Sequence, residues 1–300
     1  MLFRDKSDMI NFLDETIKNV EIDKLVLSDS SPPAASVIIV THDVNISVLE
    51  EIIDLLKSST RNSCEILIIE NSEKSQLDYL ASRPGLTYIK LKRNYGITAA
   101  RNIGIHYAKG NILIFLDDDA IPGKNFVDEH IRAYQEYNIY ALRGKCLPKT
   151  KSVYNYFAIH YDLGDNVIHS FIDLEGNSSF KRDILTQVGG FNTNLDGGAG
   201  HEGLEISRRV INETKNRDSI IYYPNAVIYH NYSKSLSHYI KKQIRHRNYG
   251  KYIYEEFPDF REFYRSYTRT LKTNVDSLDY ITKGKIMIIT RLTAIFLRLV

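Results

Sequence analysis

Residues 93–122 read RNYGITAARNIGIHYAKGNILIFLDDDAIP, and this stretch decides the fold. Helical spacing over 97–110 gives way to an apolar strand over 111–119, of the kind buried on both faces of a sheet. The strand delivers three adjacent carboxylates, Asp117, Asp118 and Asp119, to its C-terminal edge. Like charges packed this closely repel one another unless a cation sits among them. Oxygen ligands favour Mg2+ or Mn2+, ions that keep water and bind substrate phosphates rather than fill a closed protein cage. The triplet therefore points to a diphosphate site, with a solvated acidic turn as the plain alternative.

Outward from this stretch the same alternation repeats. SVIIVTHD (36–43) and CEILIIENS (64–72) read as buried strands and TYIKL (87–91) as a shorter one, with helices expected over 47–60 and 75–82. Strands alternating with helices at short spacing imply an α/β, doubly wound, mostly parallel sheet. In such sheets the ligand crevice lies beyond the carboxyl ends of the strands. That rule gathers Thr41, His42 and Asp43, Glu70 and Asn71, and Asp117 to Asp119 on one edge. Upstream, Met9, Phe12, Leu13, Ile17 and Val20 predict a helix over 8–20, followed by a breaker-rich linker. Beyond residue 140 the pattern loosens. Strands are expected near 167–173 and 219–229, a helix after the glycine tract DGGAGHEG (196–203), and a basic, aromatic helix over 235–256.

Composition narrows the function classes. A chain of 300 residues with 43% hydrophobic side chains buries a full core. Lys and Arg number 39 against 37 Asp and Glu, a balance that argues against a nucleic-acid partner. Cys64 and Cys146 match no zinc or redox spacing and read as small core residues, as a reducing compartment would allow. The N-terminus has no apolar run of secretory type, so a cytoplasmic location is expected. No stretch reaches the ~20 apolar residues that span a bilayer. The last segment, KGKIMIITRLTAIFLRLV (283–300), sets Lys283, Lys285, Arg291 and Arg298 among apolar residues. It reads either as a docked terminal helix or as one lying on an anionic membrane face, which would make the protein peripheral on the inner face of the cell membrane.

Asn94, Gly96, Arg101, Asn102 and Gly104 precede the carboxylates in the order N-x-G-x-x-x-A-R-N-x-G. With the apolar strand and D-x-D that follow, the segment resembles the core of the inverting, GT-A-fold family 2 glycosyltransferases, over roughly residues 35–235. The resemblance implies a metal-dependent enzyme, using Mn2+ or Mg2+. It would move a sugar from a nucleoside diphosphate, a UDP-sugar favoured, to a hydroxyl of a glycan, glycolipid or glycoprotein. It also implies an N-terminal helix and linker (1–33), a GT-A domain (34–235) and a C-terminal helical extension (236–300). Within the GT-A domain, residues 34–140 would bind donor and 141–235 would form the acceptor-side lid layer.

Carried over residue by residue, the resemblance places Thr41, His42 and Asp43 at the nucleoside and Glu70 at its base. Asn94 and Asp118 fall on the donor side, Asp117 meets ribose or metal, and Asp119 binds the metal. Arg101 either faces the diphosphate or ties its helix to the acidic strand end by a salt bridge. Gly96 and Gly104 read as turning and packing positions. The stretch GNSSFKRDILTQVGGFNTNLDGGAGHEGLEISRRV (176–210) resembles the acceptor side, with Asn177, His201 and Glu205 as its candidates. The family's E-D-x-E-L motif appears as Glu202-Gly203-Leu204-Glu205-Ile206. Gly203 thus stands where the catalytic Asp is usual, so either Glu202 is the general base or the chain is a silent nucleotide-sugar-binding subunit. His230, ending an apolar strand, is the expected second metal ligand. Lys241, Lys242, Arg245, His246 and Arg247 either close over the diphosphate, meet a phospholipid-linked acceptor or form a solvated face. A sugar nucleotidyltransferase would need a glycine-rich basic loop after the first strand, which VTHDVNIS (40–47) lacks. A dehalogenase-type phosphatase is disfavoured by the Ala-Ile-Pro that follows Asp119.

Overall fold

A computed structural model describes residues 11–28, 32–150, 152, 153, 155, 161–195, 201–233, 235–268 and 279–299. The expected helix start at residues 8–10, the glycine tract 196–200 and Val300 lie outside the described residues. In chain order the first half comprises α1 (Phe12–Asn19), β1 (Ile22–Val26), β2 (Ala35–Thr41), α2 (Ile46–Ser59), β3 (Cys64–Glu70), β4 (Leu86–Leu91), α3 (Ile97–Tyr107) and β5 (Ile112–Leu116). The second half comprises β6 (Ile121–Pro122), α4 (Phe126–Glu136), β7 (Ala141–Leu147), β8 (Ile168–His169), β9 (Asn177–Lys181), α5 (Arg182–Gln187), α6 (Glu202–Thr214), β10 (Ile220–Tyr229), α7 (Leu236–Glu256), α8 (Phe260–Thr268) and α9 (Tyr280–Leu299).

All the strands join one sheet, in the order β1-β4-β3-β2-β5-β9-β7-β10-β6, with β8 beside β10. The block β4-β3-β2-β5 is parallel, as is the β7–β10 pair, whereas β9 runs antiparallel between β5 and β7. Alternation along each strand feeds two cores. Val37 and Ile39 of β2 and Ile66 and Ile68 of β3 pack on the α2 and α4 side. Ile38, Leu67 and Ile69 pack on the α3 and α6 side. Each such buried side chain contributes about 1.5–3 kcal/mol, so a helix-covered strand is fixed in register by both its faces. Gly104 lets α3 approach β2, since a Cβ there would stand 2.5 Å from Ile38 Cγ2. Gly96 caps α3 at φ 87°, a left-handed conformation that favours glycine.

The N-terminal segment is part of this body. Ile22–Val26, assigned above to the linker, forms an edge strand antiparallel to β4, and Phe12 and Leu13 of α1 are buried. The helix expected over 75–82 is only a 3-10 turn, Asp78–Ser82, and the Gln76 N–H ahead of it donates to the Glu70 carboxylate. The strand expected near 167–173 shrinks to Ile168–His169. Elements α4 and β7 escaped the periodicity. Both bury polar groups: His130 in α4 and Arg143 in β7 are fully covered, and Arg143 is paired with Asp173 at 2.9 Å. The helix expected over 235–256 is α7, whose Ile253 joins the core together with Phe260 of α8. Among the described residues no helix is long and apolar enough to cross a membrane.

Candidate active site

Parallel pairing of β2 with β3 and β5 sets Thr41, Glu70 and the Asp117–Asp119 run on the same sheet edge. Asn71 pins the rim. Its side-chain NH2 donates to Asn94 Oδ1 and Gly96 O, each at 3.0 Å, and its Oδ1 accepts from Tyr95 N at 2.8 Å. Asn94 Oδ1 also accepts from Gly96 N at 2.8 Å, so this side chain shapes the turn. The turn lines a cleft of about 420 Å3 bounded by Arg93, Asn94, Tyr95 and Gly96. Thr41 Oγ1 is buried without a hydrogen-bond partner. His42 Nδ1 lies 3.0 Å from Asn71 O, and Asp43 adopts φ 51° at the end of β2. Glu70 is committed elsewhere: its carboxylate accepts from Tyr88 OH, Ser75 Oγ and Gln76 N. In this arrangement Glu70 organises the β3 exit and does not offer itself to a base.

The carboxylate run is crowded as its charge requires. Burial and the charges of Asp119 and Asp117 push Asp118 up to about 7. His230, at the end of β10, places Nε2 2.9 Å from Asp119 Oδ1. Burial opposes charge on that ring, but hydrogen bonds with Asp119 and Cys146 and the neighbouring carboxylates outweigh it and hold His230 up at about 10. An imidazolium thus sits where a cation is wanted. Among the described residues no three Cys, His, Asp or Glu side chains already stand in ligating geometry. Asp119 nevertheless offers an oxygen donor, and His230 would offer a nitrogen donor once a metal displaces its Nε2 proton, at a site of excess negative charge. That donor set fits Mn2+ or Mg2+ with phosphate oxygens and water in the other positions. Lys242, on α7, adds a cation near Asp117 and Asp119, with its Nζ donating to Tyr232 O at 3.0 Å.

Beneath the run, Arg101 is 5% exposed, with Nη2 3.8 Å from Asp117 Oδ1 and Nη1 3.5 Å from Glu202 Oε1. Of its two readings, the strut between helix and strand end is the one this geometry matches. It also reaches across to the acceptor side. Glu202, one reading of which is the general base, is only 2% exposed and directed at Arg101, with Oε2 buried and unpartnered. His201 is held by a 3.0 Å contact from Nε2 to His246 O, and burial lowers its pKa.

Two of the acceptor-side candidates lie in the core. Asn177 is fully buried; its NH2 donates to Lys145 O and Ala226 O, and its Oδ1 faces His130 Nε2 at 3.2 Å. It clamps β7, β9 and β10 together and cannot meet an acceptor. Glu205 is likewise fully buried, in a two-pronged pair with Arg209 at 2.8 and 2.7 Å. Glu175, which was not singled out in the sequence, sits in the loop before β9, with Oε1 accepting from Gly203 N at 2.8 Å. Its signal was faint: one acidic residue beside a glycine, just ahead of a small-residue strand.

An open, mostly parallel α/β sheet with the Asp119–His230 pair at the carboxyl ends of its strands is a GT-A-type architecture. The model of Glycosyl transferase family 2 matches residues 36–187, half of the chain, and the protein belongs to that family. It is similar to two uncharacterized glycosyltransferases of Bacillus subtilis (strain 168). YfnE is 31% identical over 105 residues, which are 34% of this chain and 27% of YfnE. YwdF is 27% identical over 177 residues, 53% of this chain and 62% of YwdF. The chain therefore spans less than two thirds of either relative. The fold matches the mannosyltransferase PcManGT from Pyrobaculum calidifontis in complex with GDP-Man and Mn2+, at TM-score 0.52 and 18% identity, over 78% of this chain and 68% of that one. It also matches GalNAc-T7 with UDP, GalNAc and Mn2+, at TM-score 0.52 and 16% identity, over 77% and 52%.

Proposed function

We propose that the protein transfers a sugar, with inversion, from a nucleoside diphosphate to a hydroxyl acceptor, using a divalent metal. The observation that carries this reading is the Asp117–Asp119 run with His230 on Asp119, at the edge where a doubly wound sheet binds ligands. The two fold relatives hold GDP-Man or UDP together with Mn2+, and a UDP-sugar remains the favoured donor here. When bound, the metal would offset charge on the departing diphosphate. Asp119 and His230 would hold it, Asp117 would meet ribose or metal, and Lys242 would lie against the phosphates. A carboxylate at the entrance of α6 takes the acceptor proton as the hydroxyl attacks the opposite face of the sugar.

Donor hydrolysis, with water in the acceptor's place, tests this. Incubated with UDP-glucose, UDP-N-acetylglucosamine or GDP-mannose and Mn2+, the protein should release free sugar whose first-formed anomer, read by NMR, is inverted. Retained configuration would defeat the mechanism, and binding without any release would favour the silent subunit.

The reading extends to an anionic bilayer face. Ile281, Ile288, Leu292 and Ile295 of α9 are all more than half exposed and fall at spacings of seven, four and three, one stripe of a helix. Lys283, Lys285, Arg291 and Arg298 accompany them. Vesicles containing phosphatidylglycerol should sediment the protein, less so at 0.5 M salt (roughly a 4 Å screening length). The double substitution Leu292→Glu with Ile295→Glu should release it. Equal binding to neutral phosphatidylcholine vesicles, or no binding to either kind, would remove this proposal.

A further inference from the structure

Gly203 stands where the family motif carries its Asp, yet that place holds a carboxylate. A Cβ added to Gly203 would lie 2.5 Å from Glu175 Oε1, 2.6 Å from Ile172 O and 2.9 Å from Ile172 Cγ2. Glu175 thus fills the volume that a side chain at 203 would need, and Gly203 N donates to it at 2.8 Å. The neighbouring Gly176 lies against the donor side: a Cβ there would run into the Asp117 carboxylate. Residues 175 and 176 therefore join the start of α6 to the acidic strand end, where the acceptor must meet the sugar.

We infer that Glu175 replaces the missing motif carboxylate as the proton acceptor, with Glu202 and Arg101 as positioning groups behind it. The inference rests on the transferase reading above. Glu202 is the poorer base by geometry. Its carboxylate faces Arg101, which in turn reaches Asp117, and it is 2% exposed against 8% for Glu175. Giving Glu202 a proton would cost it that buried ion pair. Glu175 faces Glu202 from α6, Arg101 from α3 and the Gly203 N–H. Burial and the Glu202 charge hold its carboxyl well above the usual range, against the pull of Arg101 and the Gly203 N–H. Held at about 8, Glu175 is a strong base once ionised, so hydrolysis should rise as pH climbs through that value. In the step assigned here the acceptor oxygen bonds to the sugar C1 as its O–H proton passes to Glu175. The C1–O bond to the diphosphate breaks, and its electron pair leaves on the nucleoside diphosphate.

The test compares Glu175→Gln and Glu202→Gln in the purified full chain, with the donors named above and Mn2+. Glu175→Gln should keep donor affinity by calorimetry and lose about 10^2–10^4-fold in donor hydrolysis, the range for a removed general base. Glu202→Gln should lose less. Glu175→Ala should regain hydrolysis in proportion to added formate, which can occupy the vacated carboxylate position. Hydrolysis within tenfold of wild type in Glu175→Gln, or no recovery of Glu175→Ala with formate, overturns the assignment. An inactive wild-type chain would instead count against the transferase reading.

Discussion

Asp119→Ala is expected to lower Mn2+-dependent donor turnover by about 10^2–10^3-fold, the loss typical of removing one electrostatic stabiliser of a developing negative charge. The substitution deletes the oxygen donor at the run's outer end and strips His230 of its 2.9 Å partner. His230 would then lose the main support of its high proton affinity, since burial alone drives it toward the neutral form. A neutral imidazole is still a ligand, so weak metal binding should survive in the variant. Rates at rising Mn2+ concentration separate the effects: the variant should need more metal and still not reach wild-type turnover. Turnover within threefold of wild type would remove Asp119 from the site.

The largest stability effect is expected at Glu205, which the family motif places near the acceptor and the fold places in the core. Glu205→Ala would leave the Arg209 guanidinium buried and without its two-pronged partner, a loss of about 3–5 kcal/mol. Arg209 would keep its bond to Val188 O and its position over the Phe12 ring, 5.6 Å from the centroid. Neither supplies a countercharge. Urea unfolding of wild type and variant measures the difference, and a change below about 1 kcal/mol would show that the pair is solvated or replaceable.

The first half of the fold was legible because β2, β3 and β5 are continuous apolar runs ending in polar residues, a pattern that only a strand covered on both faces requires. The second half hid its strands. β7 carries Arg143, Gly144 and Lys145, and reads as a loop until Asp173, Asp165 and the Tyr222 ring are brought beside it. β1 was read as linker because IDKLV does not alternate apolar and polar residues: Leu25 falls on the exposed face and Lys24 on the half-buried one. Among site residues, the carboxylate run was legible from chemistry, since it needs a cation, whereas His230, which lies 2.9 Å from Asp119, was reached only through the family resemblance. Asn177 was hard to read because its partners are set by packing: it meets Lys145, Ala226 and His130, all at least 32 positions away, whereas Glu205 pairs with Arg209 only four positions on along α6. Glu175 could not be found from spacing at all. Its proximity to Gly203 spans 28 positions and exists only because β9 inserts antiparallel between β5 and β7.

Calorimetric titration of the protein with UDP-sugars and GDP-mannose, with and without Mn2+, tests the central claim most directly. One nucleotide sugar should bind with micromolar-range affinity, about −8 kcal/mol, when Mn2+ is present, and at least tenfold more weakly when EDTA removes it. Binding unaffected by EDTA, or no binding by any nucleotide sugar in the presence of Mn2+, would contradict a metal-bridged diphosphate site at Asp119 and His230.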